Sequence, residues 1–294
     1  ENGIPVFTYW AFGIGAIASI VSVLYTVFTT PEYPPTDEDL EHLKEEKAKG
    51  SAIGRTVKEI AEAFKEMPLT MKQLIPVKFF SWYAMFAYWM FITSTLAISQ
   101  YGVASGAIND EATLNSTEYA EAVVLTGQVN GTYNIVCFLI AFALVPIARK
   151  IGAKGLHALA LLIGGVAVFC VPLLDHNSVL FHLPNPFGGD PIAVTQLYLF
   201  SFGLGINWAS MMSMPYQLLA SSVPRNKTGV YMGIFNMFIV IPMIIQIFTT
   251  QFFVYDLLGS NPVNMIRLCG VFLMIAAVFT LFISTKKPSA EVAE

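Results

Sequence analysis

Residues 203–246 read GLGINWASMMSMPYQLLASSVPRNKTGVYMGIFNMFIVIPMIIQ. Two long apolar runs flank a short polar turn at 221–228, which carries Arg225 and Lys227. Neither run holds a charged residue. They do hold a sparse set of hydrogen-bonding and aromatic groups: Asn207, Trp208, Ser210, Ser213, Tyr216, Gln217, Tyr231 and Asn236. Each also carries a proline, Pro215 and Pro242. An apolar run long enough to cross a bilayer, interrupted by uncharged polar groups and a kink, predicts a helix that lines a polar cavity.

The rest of the chain fits that reading. Its 294 residues are 55% hydrophobic and 12% charged, with a mean hydropathy of +0.62. Soluble domains carry roughly 25% charged residues, so the composition is that of a membrane protein. The net charge of −4 gives no footprint for nucleic acid. Cys137, Cys170 and Cys269 all fall inside apolar runs, with no metal-ligand spacing and no disulfide framework. No cofactor is expected. The chain opens ENGIPVF, without an initiator Met or a basic segment before the first apolar run. It is therefore read as a fragment or a trimmed chain.

Apolar runs of about 20 residues are candidate spans. Seven occur, at 5–28, 76–99, 119–146, 155–174, 192–221, 228–255 and 263–284. Positive charge alternates between their connections. Residues 29–75 carry Lys44, Lys47, Lys49, Arg55, Lys58, Lys65 and Lys72, with Lys78 just beyond. The connection 100–118 carries no Lys or Arg; Arg149, Lys150 and Lys154 follow. Loop 175–191 has none, Arg225 and Lys227 come next, 256–262 has none, and Lys286 and Lys287 close the chain. All 16 basic residues except Arg267 thus fall on one side. The expected topology is seven crossings in a cell membrane, with an external N-terminus and a cytoplasmic C-terminus. Arg267, at the outer end of the last run, is expected to reach the headgroups.

Small residues recur at helical spacing: Ala11, Gly15, Ala18 and Ser22 in the first run, and Ser201, Gly205, Ala209 and Ser213 in the fifth. Gly229 and Gly233 do so in the sixth. Such stripes let membrane helices approach closely. In the polar connection, Val57, Ile60, Ala61 and Phe64 share one stripe, as in an amphipathic helix on the membrane surface. His176 and His182 lie in an outer loop without carboxylate or thiol support, a weak pattern for a metal. Asn115 begins an Asn-Ser-Thr triplet that fits a glycosylation acceptor.

Membrane-embedded catalysis is disfavoured. The spans hold no Asp, Glu or His near mid-depth, and no nucleophile has a plausible base. They hold neutral amides beside aromatic rings instead. Asn130 and Asn134 lie one turn apart, with Thr126 and Tyr133 adjoining. Asn207, Ser210 and Met214 share a face beside Trp208, and Asn236 sits mid-run in the sixth. Trp82, Phe86 and Trp89, with Phe79, Tyr83 and Tyr88, form a dense aromatic set in the second. A sugar presents hydroxyls at its rim and C–H faces above and below, which amides and flat rings complement. Each such residue can also simply join helices, at about 0.6 kcal/mol per polar contact. Spread over several helices, the set predicts one shared cavity. The expected substrate-binding residues are Trp82, Phe86, Trp89, Asn130, Tyr133, Asn134, Asn207, Trp208, Ser210, Tyr216 and Asn236.

Five stretches carry a family resemblance: TTPEYPP (29–35), ISQYG (98–102), VPIARKIGAKGLHALALLIGG (145–165), GINWASMMSMPYQLLASSVP (205–224) and GVYMGIFNMFIVIPMIIQ (229–246). They resemble the sucrose-transporter-like branch of the major facilitator superfamily, which is related to the glycoside–pentoside–hexuronide cation symporters. The resemblance implies a twelve-helix fold of two six-helix bundles, with sugar bound between them and alternating access driven by proton symport. The chain would supply the sixth helix (1–28), the cytoplasmic linker (29–75), the C-terminal six-helix bundle (76–284) and a cytoplasmic tail (285–294). Its partners would be the sugar, a coupling proton, the lipid bilayer and the preceding helices of the same protein. Arg149, Lys150 and Lys154, with Arg225 and Lys227, would form the basic inner gate. Ala153 departs from the denser basic pattern of that loop. The family's coupling carboxylate lies in the N-terminal bundle, and these spans contain no buried acid of their own.

Two other readings compete. A seven-helix receptor fits the helix count, but the last run lacks a lysine for a retinal Schiff base; Lys286 and Lys287 lie beyond it. A non-transporting scaffold or sensor with a transporter fold is the third.

Overall fold

The structure, a computed structural model, describes residues 6–31, 34, 36, 40–41, 60–185, 188–220, 222–223 and 228–284. The chain divides into two units, 1–58 and 59–294. The first contains helix α1 (Val6–Thr29). Three of its hydroxyls turn back onto the helix: Ser22, Thr26 and Thr29 each donate to the carbonyl four residues back. Apolar residues on all sides suit a helix surrounded by lipid.

The second unit holds six further long helices. They are α2 (Leu69–Tyr101), α3 (Thr117–Ile151), α4 (Ala153–Cys170), α5 (Tyr198–Ala220), α6 (Thr228–Thr249) and α7 (Pro262–Leu281). Local signals set their ends. Ser116 caps α3 by accepting from the Tyr119 amide, and Glu118 and the Arg149–Lys150 pair sit at the ends that the helix dipole favours. Pro262 opens α7 behind the Asn261 cap. Gly102, at φ 71°, ends α2, and Gly152, at φ 80°, alone separates α3 from α4.

Among the described residues, five helical segments are long and apolar enough to cross a membrane: Tyr9–Thr29, Thr117–Ile151, Ala153–Leu173, Thr228–Leu257 and Pro262–Leu281. Helices α2 and α5 are long enough but more polar. They are the helices that carry most of the expected site residues.

Three expectations are corrected. Helix α2 begins at Leu69, before the expected start at 76, so Lys72 belongs to the helix and not to the connection. The run from 192 begins as a strand: β1 (Val179–Leu183) and β2 (Ile192–Thr195) form an antiparallel hairpin where a plain loop was expected. In the linker, the buried face is Ala63 and Met67, with Ile60 beside them; Ala61 and Phe64 are exposed, and Val57 lies outside the described residues. This short helix ends against the bundle's core.

Helix α7 packs on α2 and α4, α4 on α5, α5 on α3, and α2 on α3 and α6. Missing side chains permit two of these contacts. A Cβ on Gly270 would lie 2.6 Å from the Gly165 carbonyl oxygen, so the α4 and α7 backbones touch there. A Cβ on Gly205 would lie 2.7 Å from the Tyr133 carbonyl oxygen, and Ser201 donates to the Val129 carbonyl at 3.1 Å. The fifth-run stripe therefore packs on α3, as its spacing predicts. Gly229 and Gly233 have nothing within 4 Å of a built Cβ.

The chain leaving α7 is clasped by two other helices. Gln73 donates to the Phe282 carbonyl at 3.0 Å and accepts from the Ser284 amide at 2.7 Å. Thr70 donates to the Ser284 carbonyl at 3.1 Å. Lys154 donates to the carbonyls of Leu281 and Ile283, at 3.3 and 3.1 Å.

Candidate functional site

Trp82, Tyr88 and Trp89 of α2 project toward α3 and α5, while Phe80 and Tyr83 meet Phe272 on α7. Trp82 and Trp89 both meet Trp208 edge to face, with ring centres 5.7 and 5.4 Å away. The Trp89 indole N–H donates to the Tyr133 hydroxyl at 3.3 Å. Tyr133 packs against Tyr88, whose hydroxyl donates to the Asn130 side-chain oxygen at 2.8 Å. A continuous column of rings and polar atoms thus joins α2, α3 and α5. Each aromatic pair is worth about 0.5–1.5 kcal/mol beyond its burial. Trp89, Trp208 and Asn130 stay only half-buried, as does Phe86 one turn from Trp82. They leave ring and amide surface free for a ligand.

The column ends on a cation that the charge pattern had placed just beyond the connection, at the start of the second run. Lys78, one turn before Trp82, is 1% exposed. Its Nζ lies 4.6 Å from the centre of the Phe235 ring, 5.0 Å from Tyr216 and 5.6 Å from Trp82. It has no hydrogen-bond partner among the described residues. Tyr216 and Phe235 meet edge to face at 5.1 Å, closing two sides of this cage.

The remaining expected residues are distributed differently. Ser210 is fully buried, with its hydroxyl 2.9 Å from His157 Nδ1 on α4. Asn207 is also fully buried; its amide lies 3.4 Å from the Met211 sulfur, and its side chain presses on Gly164. Its side-chain oxygen has no partner among the described residues. Both sit in a tight helix contact and not in the aromatic column. Asn134 is exposed, its amide turned back to the Asn130 carbonyl at 2.8 Å, and Asn236 is exposed on α6.

Sequence reading passed over three buried polar groups. They are Lys78, His157 and Gln246, whose amide donates to the Thr250 hydroxyl at 2.9 Å. Lys78 and Gln246 each retain a polar atom without a partner among the described residues. The available signal was the same for all three: a strongly polar side chain inside a helix of apolar residues.

At the end of the bundle where α3 meets α4, Arg149 and Lys150 are exposed, while the clasp on the chain after α7 occupies Lys154. Arg225 and Lys227 lie outside the described residues. At the opposite end, a cavity of about 310 Å³ is lined by Tyr101, Thr117, Ala120, Glu121, Val124, Leu125 and Gln128. It is separate from the aromatic column. Also at that end, His176 is held by Gln100, which accepts from its backbone N–H at 3.0 Å and meets Nδ1 at 3.1 Å.

Long apolar helices, closely packed at small residues and lined by two more polar helices, describe a multi-pass membrane protein built to hold a small molecule. The profile of the Major Facilitator Superfamily matches residues 5–247. Among curated proteins, none matches the chain. The match spans most of the sequence and agrees with the observed helices: the chain belongs to the Major Facilitator Superfamily, whose members are membrane transporters and not enzymes.

Proposed function

We propose that this protein is a secondary transporter of a sugar, a disaccharide or glycoside, working by alternating access with proton symport. The observation that carries the reading is the ring-and-amide column. Trp82, Trp89 and Trp208 offer flat apolar faces, and Asn130 and Tyr133 offer hydrogen-bonding groups beside them. A pyranose needs both at once. The likeness of residues 205–246 to the sucrose-transporter-like branch supports the same substrate class.

In this reading all seven long helices cross the membrane, including the more polar α2 and α5. Helix α1 is the sixth helix of a twelve-helix fold, residues 29–75 are the cytoplasmic linker, and α2 to α7 are the C-terminal bundle. The N-terminus lies outside the cell membrane, the C-terminus inside. The exposed amides Asn134 and Asn236 belong to the surface that faces the other bundle across the substrate. Arg149, Lys150, Arg225 and Lys227 flank the inner gate, and Lys154 holds the clasp beside it.

The test is ligand-protected melting of the purified full-length protein against a panel of disaccharides. A ligand that binds the native state raises Tm with concentration. A transported disaccharide is expected to do so for the wild type, and Trp89→Ala or Trp208→Ala to lose at least tenfold in apparent affinity while remaining folded. Full protection retained in both variants overturns the assignment of the column to the sugar.

A further inference from the structure

Lys78 is the only Lys, Arg, Asp or Glu that is buried among the described residues. An ammonium carries three donors, and this one has no acceptor among those residues. Burial without an acceptor disfavours the charged form. Three ring faces at 4.6–5.6 Å favour it. A group in that position can gain and lose a proton during a cycle of opening and closing.

The surroundings select the ligand. Phe235, Tyr216 and Trp82 close around the nitrogen, and the residue is 99% covered. A carboxylate or phosphate would have to displace a ring to reach it. A proton needs no such space. The titratable groups facing the cage are His157 from α4, which lies within the field of Lys78, and Tyr216 from α5. On α2 itself, Tyr83 is turned away, its hydroxyl 2.7 Å from that of Thr249. On the buried face of α7 the titratable group is Cys269, which lies within the field of Tyr88. No acid stands among these groups to fix the charge.

We infer that Lys78 is the proton-binding group that couples this bundle to the proton gradient. The inference rests on the transport reading above. Its amine takes a proton from water on the side to which the carrier is open, and the rings hold the ammonium as the carrier closes. On the proton-poor side the N–H bond breaks, the proton passes to water, and the carrier returns with a neutral amine. This places a coupling base in a bundle whose spans lack a buried acid.

The experiment uses the full-length protein in proteoliposomes with a radiolabelled disaccharide. Proton-driven accumulation is compared with equilibrium counterflow for wild type, Lys78→Met and Lys78→Arg. Both variants are expected to lose accumulation at least tenfold while keeping counterflow within about twofold. Met fits the apolar cage, and Arg preserves charge and length, so Arg carries the test if Met fails to fold. A merely structural role would be rescued by Arg. Normal accumulation in Lys78→Arg overturns the inference, and so does loss of counterflow from a folded variant. Retained counterflow of neutral sugars with selective loss of anionic ones also overturns it, making Lys78 an anion anchor. Absence of disaccharide counterflow in the wild type removes the sugar reading, and this coupling role falls with it.

Discussion

The Tyr88 hydroxyl donates to the Asn130 side-chain oxygen across 2.8 Å and fastens α2 to α3 at the head of the aromatic column. Tyr88 is fully buried, so water cannot replace that acceptor. Tyr88→Phe is expected to destabilise the protein by about 1 kcal/mol. A double-mutant cycle with Asn130→Ala, read by thermal or denaturant unfolding, should give a coupling of about 0.6–1.7 kcal/mol, the range for hydrogen bonds between membrane helices. Additive effects of the two substitutions would separate the residues energetically.

The contact between Gly165 and Gly270 predicts intolerance to a single methyl group. A Cβ at Gly270 would meet the Gly165 oxygen and the Phe169 backbone nitrogen at 2.6 Å each, and backbone cannot step aside as a flexible side chain can. Gly270→Ala is expected to cost about 1–3 kcal/mol, as overpacking does. Gly131→Ala, where nothing lies within 4 Å, should cost nothing or gain up to about 1 kcal/mol from helix propensity. Melting temperatures of the two proteins side by side check both halves.

Lys154 predicts a local effect. Its ammonium is shared by the carbonyl of Leu281, the last residue of α7, and that of Ile283 just beyond it. Lys154→Gln should raise amide exchange at residues 282–284 while leaving exchange along α4 unchanged. Arg149→Gln, at an exposed position on α3, should not. Equal exchange in the two variants would remove the clasp as the cause.

Ser210 and His157 form a buried hydrogen-bonded pair at 2.9 Å. Ser210→Ala leaves the imidazole nitrogen without a partner, and a stranded buried polar atom costs about 1–3 kcal/mol. Ser210→Cys keeps a weak donor at the same place and should recover part of the loss. Unfolding in mild detergent measures both.

Much of the architecture was legible because the bilayer permits so few backbone solutions. Six of the seven long helices lie within a few residues of the runs that mark them, apart from the strand that opens the fifth. The stripe through Ser201 and Gly205 also read correctly, since spacing of four has one geometric meaning on a helix. Lys78 failed for a physical reason. A residue's depth depends on where its helix starts, and apolar content does not mark the start of α2: Leu69 follows Pro68, while Lys72 and Gln73 keep that first stretch polar. The amides divided for a similar reason. Periodicity says that Asn130 and Asn134 share a face; it does not say which neighbour that face meets. The structure gives Asn130 to Tyr88 and leaves Asn134 exposed. The hairpin was hidden because strands of four and five residues give too short a pattern to stand out from a loop rich in proline.

That hairpin has a practical use. Strand β1 is exposed along its whole length, and Leu183 faces Ile192 across a turn containing Gly188 and Gly189, both at positive φ. Chain ends held this close accept inserted sequence at little cost to the rest of the domain. A short epitope placed at the exposed Gly189 would therefore leave the packed helices undisturbed. Antibody staining of intact against permeabilised cells would then show which face of the membrane carries this end.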